Sequence, residues 1–169
     1  MKLILSDKPL NISISDSDTK FIDLSSLKIS NCLGCFGCWT KTPGKCVIRD
    51  DAVKVYPLIA KSSKIIYISR IKYGGYDSVM KTMLERAIPI QKAFIRIHNG
   101  ETHHVQRDVK AKKAVIIAYG DIDREEKEIF KSLIGRNAYN MNFESYKVIF
   151  TQEQMLEKIV NDEVSKWKK

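Results

Sequence analysis

The sequence predicts an α/β fold with a parallel sheet covered by helices on both faces, and two observations lead there. Five short apolar segments, typical of strands, alternate along the 169-residue chain with longer amphipathic segments, typical of helices. Strands joined through helices run parallel, because a crossover returns the chain to the same end of the sheet. The composition, 44% hydrophobic and 29% charged, is ordinary for a globular protein, and the length suits one domain over residues 1–169.

The predicted strands are bounded by polar residues or by glycine. The longest apolar runs, KIIYIS and KAVIIAY, are typical of strands buried on both faces, and Gly120 ends the second. The connection Ser6–Asp18 contains Pro9 and is too short for a full crossover helix, so the first helix should be shortened or missing. The predicted strands are Lys2–Leu5, Lys20–Leu24, Lys64–Ser69, Lys113–Tyr119 and Tyr146–Phe150.

Four amphipathic segments predict helices. Two begin with a capping-box pattern, Asp123 with Glu126 and Thr151 with Gln154, and Pro89 ends another. The segment Gln91–Lys112 has neither a helical nor a strand period, and we expect this long excursion to contact a second subunit. The predicted helices are Asp51–Ala60, Asp77–Ile88, Asp123–Arg136 and Gln152–Trp167.

The net charge of +9 is concentrated in the middle of the chain. Residues 54–113 hold 13 Lys plus Arg against 4 Asp plus Glu, and the remaining residues balance. This excess indicates either an ordinary solvated basic face or a surface that attracts phosphorylated cofactors, acidic partners or nucleic acid. A phosphorylated small molecule is favoured over nucleic acid because the basic residues are scattered among apolar segments. No apolar run approaches the ~20 residues of a membrane span, and Leu3–Leu5 is too short for a signal peptide, so we expect a cytoplasmic protein.

The four cysteines lie close together, with the spacing C-x2-C-x2-C-x7-C, and the turn KTPGK precedes the last of them. In a cytoplasmic chain, clustered thiols indicate a metal, a cluster or redox chemistry rather than a disulfide framework. Four interpretations stay open: a 4Fe-4S cluster, a zinc ion, a dithiol pair at Cys35 and Cys38, and small residues that bind nothing. The candidate metal ligands are Cys32, Cys35, Cys38 and Cys46.

Three segments resemble a known family. They are KISNCLGCFGCWTKTPGKCVIRDD (28–51), YGGYDSVMKTMLER (73–86) and GETHHVQR (100–107). Over about residues 28–151 the chain is similar to the flavodoxin-like NADPH-dependent FMN reductases and the related iron-sulfur flavoproteins. The resemblance implies a flavodoxin-like three-layer fold with a five-stranded parallel sheet of order 2-1-3-4-5. It also implies an FMN cofactor, NAD(P)H as substrate and a homodimer.

The resemblance also implies where FMN would bind. The loops after the third and fourth strands would meet the flavin ring, with Tyr73 stacking on it and small residues admitting close backbone contacts. The family's phosphate loop has no counterpart, because Ser6-Asp7-Lys8-Pro9 stands in its place and Asp7 would repel a phosphate. We therefore expect FMN to be held mainly through its ring. The implied cofactor-binding residues are Arg70, Ile71, Lys72, Tyr73, Gly74, Gly75, Tyr119, Gly120 and Asp121.

The leading functional hypothesis is a flavin-dependent NAD(P)H oxidoreductase in which the cysteines relay electrons. The alternative is an iron-sulfur or redox-thiol protein that binds no flavin on the same scaffold. No catalytic residue is singled out. Arg86 would be either a ligand or an ion-pair partner. His98, His103 and His104 would be exposed on a dimer-contact loop, or His103 or His104 would reach a flavin or substrate across an interface; adjacent histidines cannot share one face of a strand.

Overall fold

The protein, described over residues 1–168 by a computed structural model, is built on a sheet of five parallel strands. The eight strands are β1 (Lys2–Ser6), β2 (Thr19–Asp23), β3 (Lys64–Lys72), β4 (Gly75–Tyr76), β5 (Gln91–His98), β6 (Glu101–Gln106), β7 (Lys112–Tyr119) and β8 (Phe143–Thr151). The sheet order β2-β1-β3-β7-β8, with parallel neighbours throughout, confirms the predicted order 2-1-3-4-5. Strand β4 adds antiparallel to β3, and β5 and β6 form a separate hairpin.

Helices cover both faces of this sheet. The helices are α1 (Gly37–Thr40), α2 (Ala52–Lys61), α3 (Ser78–Glu85), α4 (Arg124–Asn140) and α5 (Leu156–Ser165). Alternate residues of β3 enter two separate cores: Ile65 and Tyr67 join the core with α2, α3 and α4, whereas Ile66 and Ile68 join the core with α5. The predicted three-layer α/β fold is therefore confirmed. None of the helices within residues 1–168 is long and apolar enough to cross a membrane.

Helices α3 and α4 end at other residues than the sequence predicts. Helix α3 ends at Glu85 rather than Ile88, because Pro89 lies inside a 3-10 turn, Ile88–Ile90, instead of following the helix. Helix α4 begins as predicted, since the Asp123 carboxylate accepts the backbone N–H of Glu126 at 2.8 Å, but it continues four residues past its predicted end. The predicted capping box at Asp123 is confirmed.

The second predicted capping box is wrong. Residues 153–155 form a 3-10 turn before α5, and no side chain caps either element. The Thr151 hydroxyl instead donates to the carbonyl of Gln152 at 3.2 Å, so it does not serve the helix N-terminus. Leu156, Val160 and Val164 of α5 are buried against the sheet, whereas Met155, just before the helix, is 44% exposed.

The connection between β1 and β2 contains no helix, as predicted. It runs extended across α5, where Leu10 and Ile12 pack against the core. Side chains of α5 satisfy its backbone: the N–H of Asn11 donates to Glu157 at 3.0 Å. Because no helix starts after β1, no cluster of free helical N–H groups lies at that end of the strand.

The segment without a period folds into the β5–β6 hairpin, which the sequence did not predict. Strand β5 carries Phe94, Ile95 and Ile97 with 74%, 65% and 74% of their surface exposed. An alternating pattern marks a strand only when one face is buried, so a hairpin with apolar side chains exposed on both faces gives no such signal.

Candidate functional site

A buried carboxylate lies at the carboxyl end of the central strands. Asp7, directly after β1, accepts hydrogen bonds from the backbone N–H of Arg70 at 2.6 Å, from the Ser69 hydroxyl at 3.1 Å and from the Tyr119 hydroxyl at 2.8 Å. Burial raises the pKa of Asp7 above its ordinary value despite these hydrogen bonds. Asp7 therefore ties together the ends of β1, β3 and β7.

A second layer of charged side chains lies over this carboxylate. The Arg70 guanidinium lies 5.2 Å from the centroid of the Tyr119 ring and pairs with Glu153 at 2.6 Å. The Lys8 ammonium pairs with the same carboxylate and lies 5.8 Å from the Tyr119 ring. Glu153, which sequence reasoning missed, thus forms an ion pair with both of the cations nearest this edge of the sheet.

The edge of the sheet does not fit the phosphate group of FMN. The loop after β1 is an extended segment, so it offers no helix N-terminus to an anion. The buried Asp7 carboxylate would repel a phosphate placed there, and Arg70 and Lys8 are already paired. The residues at this edge agree with the sequence-based expectation that no phosphate loop is present.

The loop after β3 is a two-residue hairpin turn between β3 and β4. Its central residues, Tyr73 and Gly74, both have left-handed backbone conformations, with φ of 52° and 69°. A side chain at Gly74 would place its Cβ 2.5 Å from the Ile129 side chain of α4, so only glycine fits. Tyr73 is 93% exposed, which leaves its ring free for contact with a ligand.

The structure divides the implied flavin-binding residues into two groups. Arg70, Tyr119 and Gly120 lie together at the edge of the sheet, where a Cβ on Gly120 would stand 3.8 Å from the Arg70 side chain. Asp121 follows them and is exposed. The second group is the turn itself, Tyr73, Gly74 and Gly75.

The two residues between these groups face elsewhere. Ile71 is buried in the core. Lys72 is exposed and pairs with Asp77, the N-cap of α3, at 3.1 Å. Since neither side chain is available to a ligand at the turn, the groups that could contact a ligand there are the backbone and the Tyr73 ring.

The four cysteines lie on the irregular segment around α1. Cys32 and Cys35 are exposed, and Cys38 and Cys46 are partly buried. Partial burial raises the pKa of the Cys38 thiol, and the neighbouring Cys46, Cys32 and Cys35 act in the same direction. The donor chemistry suits an iron-sulfur cluster, but over residues 1–168 no three His, Cys, Asp or Glu side chains converge on one point as metal ligands. The predicted ligand set stays a prediction.

A buried arginine holds this cysteine segment in place. Arg86 follows α3, is 1% exposed and binds Asp50 through both terminal nitrogens, at 2.7 and 2.9 Å. The same guanidinium donates to the Ser30 carbonyl at 2.7 Å and lies 3.4 Å from the Cys46 sulfur. Of its two sequence-based interpretations, Arg86 therefore takes the part of an ion-pair partner.

The cysteine segment also packs against the β5–β6 hairpin. The Trp39 indole N–H donates to the carbonyl of Gln91 at 3.0 Å, and its ring lies 4.7 Å from that of His104. On the turn before Cys46, Gly44 packs against Arg107, since a Cβ there would stand 2.9 Å from the arginine side chain. The three segments that carry the family resemblance are thus brought together.

The adjacent histidines of β6 lie on opposite faces, as expected. The ring nitrogens of His103 lie 3.0 Å from a Glu101 oxygen and 3.2 Å from the Asn140 amide oxygen. The His103 ring is buried, and each of its nitrogens has a partner, so the expectation of an exposed side chain is wrong for His103. His98 packs against Tyr139 of α4, with ring centroids 5.9 Å apart. Within residues 1–168, His103 thus has a structural role in fixing the hairpin to α4.

Comparisons with known proteins agree with this fold. No protein-family model matches the chain. It is 31% identical over 77 residues to an iron-sulfur flavoprotein of Methanocaldococcus jannaschii, and 35% identical over 75 residues to one of Archaeoglobus fulgidus. These matches cover 46% and 44% of this chain but only 39% and 33% of the relatives. The chain thus aligns with well under half the length of the curated relatives it matches.

Solved structures show the same architecture over nearly the whole chain. An FMN-dependent NADH-azoreductase of Bacillus anthracis, solved with FMN, superposes with a TM-score of 0.58 at 10% identity, covering 98% of this chain and 96% of its own. An NAD(P)H:quinone oxidoreductase of Methanothermobacter marburgensis gives 0.62 at 12% identity, covering 98% and 95%. The chain is a flavodoxin-like α/β protein. Its predicted resemblance to FMN reductases and iron-sulfur flavoproteins is confirmed.

Proposed function

We propose that the chain is a flavin-dependent NAD(P)H oxidoreductase that holds its flavin mainly through the ring. The observation that carries the proposal is the turn at Tyr73, where a bulky side chain adopts a left-handed backbone conformation and is 93% exposed. That conformation costs about 1–2 kcal/mol for a residue with a Cβ. No burial of the ring within the fold offsets the cost, so a ligand is the natural partner of the ring.

The fold supports the position of this ligand. In open α/β sheets, ligands bind beyond the carboxyl ends of the strands, where the turn after β3 and the Arg70–Tyr119–Gly120 group both lie. Proteins of the same architecture bind FMN, among them the azoreductase solved with it. When bound, the flavin would supply the hydride chemistry. The chain would orient the ring by stacking Tyr73 and by backbone contacts at Gly74 and Gly75.

The experiment that tests the proposal exchanges Tyr73. Asn tolerates the left-handed conformation, so Tyr73→Asn preserves the turn and removes the ring. Tyr73→Phe keeps the ring and is the matched control. Riboflavin binding, followed by fluorescence quenching, should weaken about three- to tenfold in Y73N and stay within twofold of wild type in Y73F. Equal binding by Y73N and wild type would contradict the proposed role of Tyr73.

The proposal includes an electron relay through the cysteines. Cys32, Cys35, Cys38 and Cys46 would hold a 4Fe-4S cluster, which accepts and releases single electrons. Arg86, which donates to the Cys46 sulfur at 3.4 Å, would hold that ligand in position. Iron and acid-labile sulfide, measured after anaerobic reconstitution, should be present in wild type and lost in Cys46→Ser. If the protein takes up neither iron nor sulfide, the result would favour the alternative, a redox-thiol protein. The exposure of Cys32 and Cys35 supports that alternative, because exposed thiols are open to exchange.

A homodimer is the proposed assembly. Strand β5 pairs only with β6 among the described strands, and its exposed Phe94, Ile95 and Ile97 make an apolar surface. A second copy of the chain covering this surface would bury it around a two-fold axis. Sedimentation at micromolar concentration should give a dimer for wild type and a monomer for the double variant Phe94→Lys, Ile97→Lys. A monomeric wild-type protein would contradict this assembly.

A further inference from the structure

A cleft of about 810 Å³ lies between α3 and α4, on the side of the protein that carries the β5–β6 hairpin. Tyr73 and Gly75 line one end, and Gln91 and His104 line the other. The volume falls in the range of about 300–1,000 Å³ typical of small-molecule sites. The walls between these ends are largely aliphatic: Leu84, Ile88, Ile90, Leu133 and Met141.

The charged groups at the cleft compensate one another. Lys72 pairs with Asp77 at 3.1 Å, and Lys81 lies 4.0 Å from Glu85. All four side chains line the cleft, so its mouth presents equal numbers of positive and negative charges. An uncharged ligand is therefore favoured there, although residues 54–113 as a whole are strongly basic.

One polar atom at the far end of the cleft has a defined hydrogen-bonding character. The Nδ1 atom of His104 lies 2.9 Å from the Lys92 carbonyl oxygen. A carbonyl only accepts, so Nδ1 carries the proton, and in the neutral imidazole Nε2 is an acceptor. Nε2 has no hydrogen-bond partner among the described residues. The ring itself is held by stacking on Trp39, with centroids 4.7 Å apart.

We propose that this cleft binds an uncharged, mostly apolar aromatic molecule with a hydroxyl group that donates to His104 Nε2. The aliphatic side chains of α3 and α4 would contact the rings, and the hydroxyl would give the imidazole the partner it lacks. The cleft shares Tyr73 and Gly75 with the turn proposed to hold the flavin, whereas the hydrogen bond to His104 would lie at the opposite end. The cleft extends from the turn at Tyr73 to the segment that carries the cysteines.

The test uses the full chain and two probes, 2-naphthol and 2-methoxynaphthalene, titrated by calorimetry at pH 7. They share the ring system, and only the first has a donor. Wild type should bind 2-naphthol about three- to tenfold more tightly, the range expected for one hydrogen bond. His104→Phe retains an aromatic ring beside Trp39 but removes the acceptor, so the two probes should then bind alike.

A second pair of variants locates the probes. Leu133→Trp fills the cleft and should abolish saturable binding of both molecules, whereas Lys131→Trp adds the same side chain to an exposed position of α4 and should leave binding unchanged. Absence of saturable binding to wild type would overturn the proposal. So would equal affinities of wild type for the two probes, or binding that Leu133→Trp leaves intact, which would indicate the exposed surface of β5 instead.

Discussion

Removal of the Asp7 carboxylate should destabilise the edge of the sheet where β1, β3 and β7 end. Three groups donate to it: the Arg70 N–H, the Ser69 hydroxyl and the Tyr119 hydroxyl. In Asp7→Ala, the Ser69 hydroxyl still has an acceptor, since the Arg70 carbonyl lies 2.9 Å away. The Arg70 N–H and the Tyr119 hydroxyl lose theirs.

A buried donor without a partner costs about 1–3 kcal/mol, so two such donors amount to about 4 kcal/mol. Asp7→Asn should behave differently. Its amide oxygen would accept from Arg70 and Ser69, and its amide N–H would donate to the Tyr119 hydroxyl. The amide also avoids burial of a charge. Burial raises the pKa of Asp7, so ionisation of the carboxyl opposes folding as the pH rises through that pKa.

Urea unfolding at pH 7 measures both changes in the free energy of unfolding. Asp7→Ala should lose about 4 kcal/mol, and Asp7→Asn should be at least as stable as wild type. The advantage of Asp7→Asn should shrink as the pH falls toward the ordinary value of 3.8 and vanish below it, where the wild-type carboxyl is protonated in both the folded and the unfolded state. A loss below 1 kcal/mol in Asp7→Ala, or equal losses in both variants, would refute this account of the network.

Three further variants test other contacts, each by urea unfolding. Arg86→Met should cost about 2–3 kcal/mol, because it removes the bidentate partner of the partly buried Asp50 carboxylate, and an unchanged stability would contradict this. Burial raises the pKa of Asp50, but the hydrogen bonds from Arg86 outweigh burial and lower that pKa to about 2, so the stability from this pair should be full above pH 3.8 and lost toward pH 2. Burial lowers the pKa of Lys112 to about 8, so wild type should gain up to about 3 kcal/mol relative to Lys112→Met between pH 8 and 10.5, and a flat difference would contradict this. Gly74→Ala should cost about 2 kcal/mol, because its Cβ would meet Ile129 in a left-handed turn, and an unchanged stability would contradict that geometry.

The parallel sheet was predictable because its strands are buried on both faces. Successive residues of β3 from Ile65 to Ile68 enter one core or the other, and so do those of β7 from Ala114 to Ala118. The short connection after β1 also predicted that the first helix would be shortened or missing. The local pattern of apolar residues was enough to predict these strands, because the burial of each residue follows directly from its place in the sheet.

The candidate site was less predictable because its contacts are long-range. The sequence indicated that Asp7 would repel a phosphate, but not that Tyr119, 112 residues away, would bind it. Glu153 likewise reaches Arg70 across 83 residues, and no local spacing marks either pair. The hairpin of Gln91–Gln106 escaped prediction for another reason, since its exposed apolar side chains leave no binary pattern.

The central claim, that the chain holds a flavin through its ring, is tested most directly by titrating FMN and riboflavin into the same protein. The two molecules share the ring system and differ in the phosphate. With Asp7 buried where a phosphate loop would lie and with Lys8 and Arg70 already paired to Glu153, we expect the two dissociation constants to agree within about threefold, and the small difference to vanish at high salt. Tight binding of FMN with no binding of riboflavin would contradict the claim.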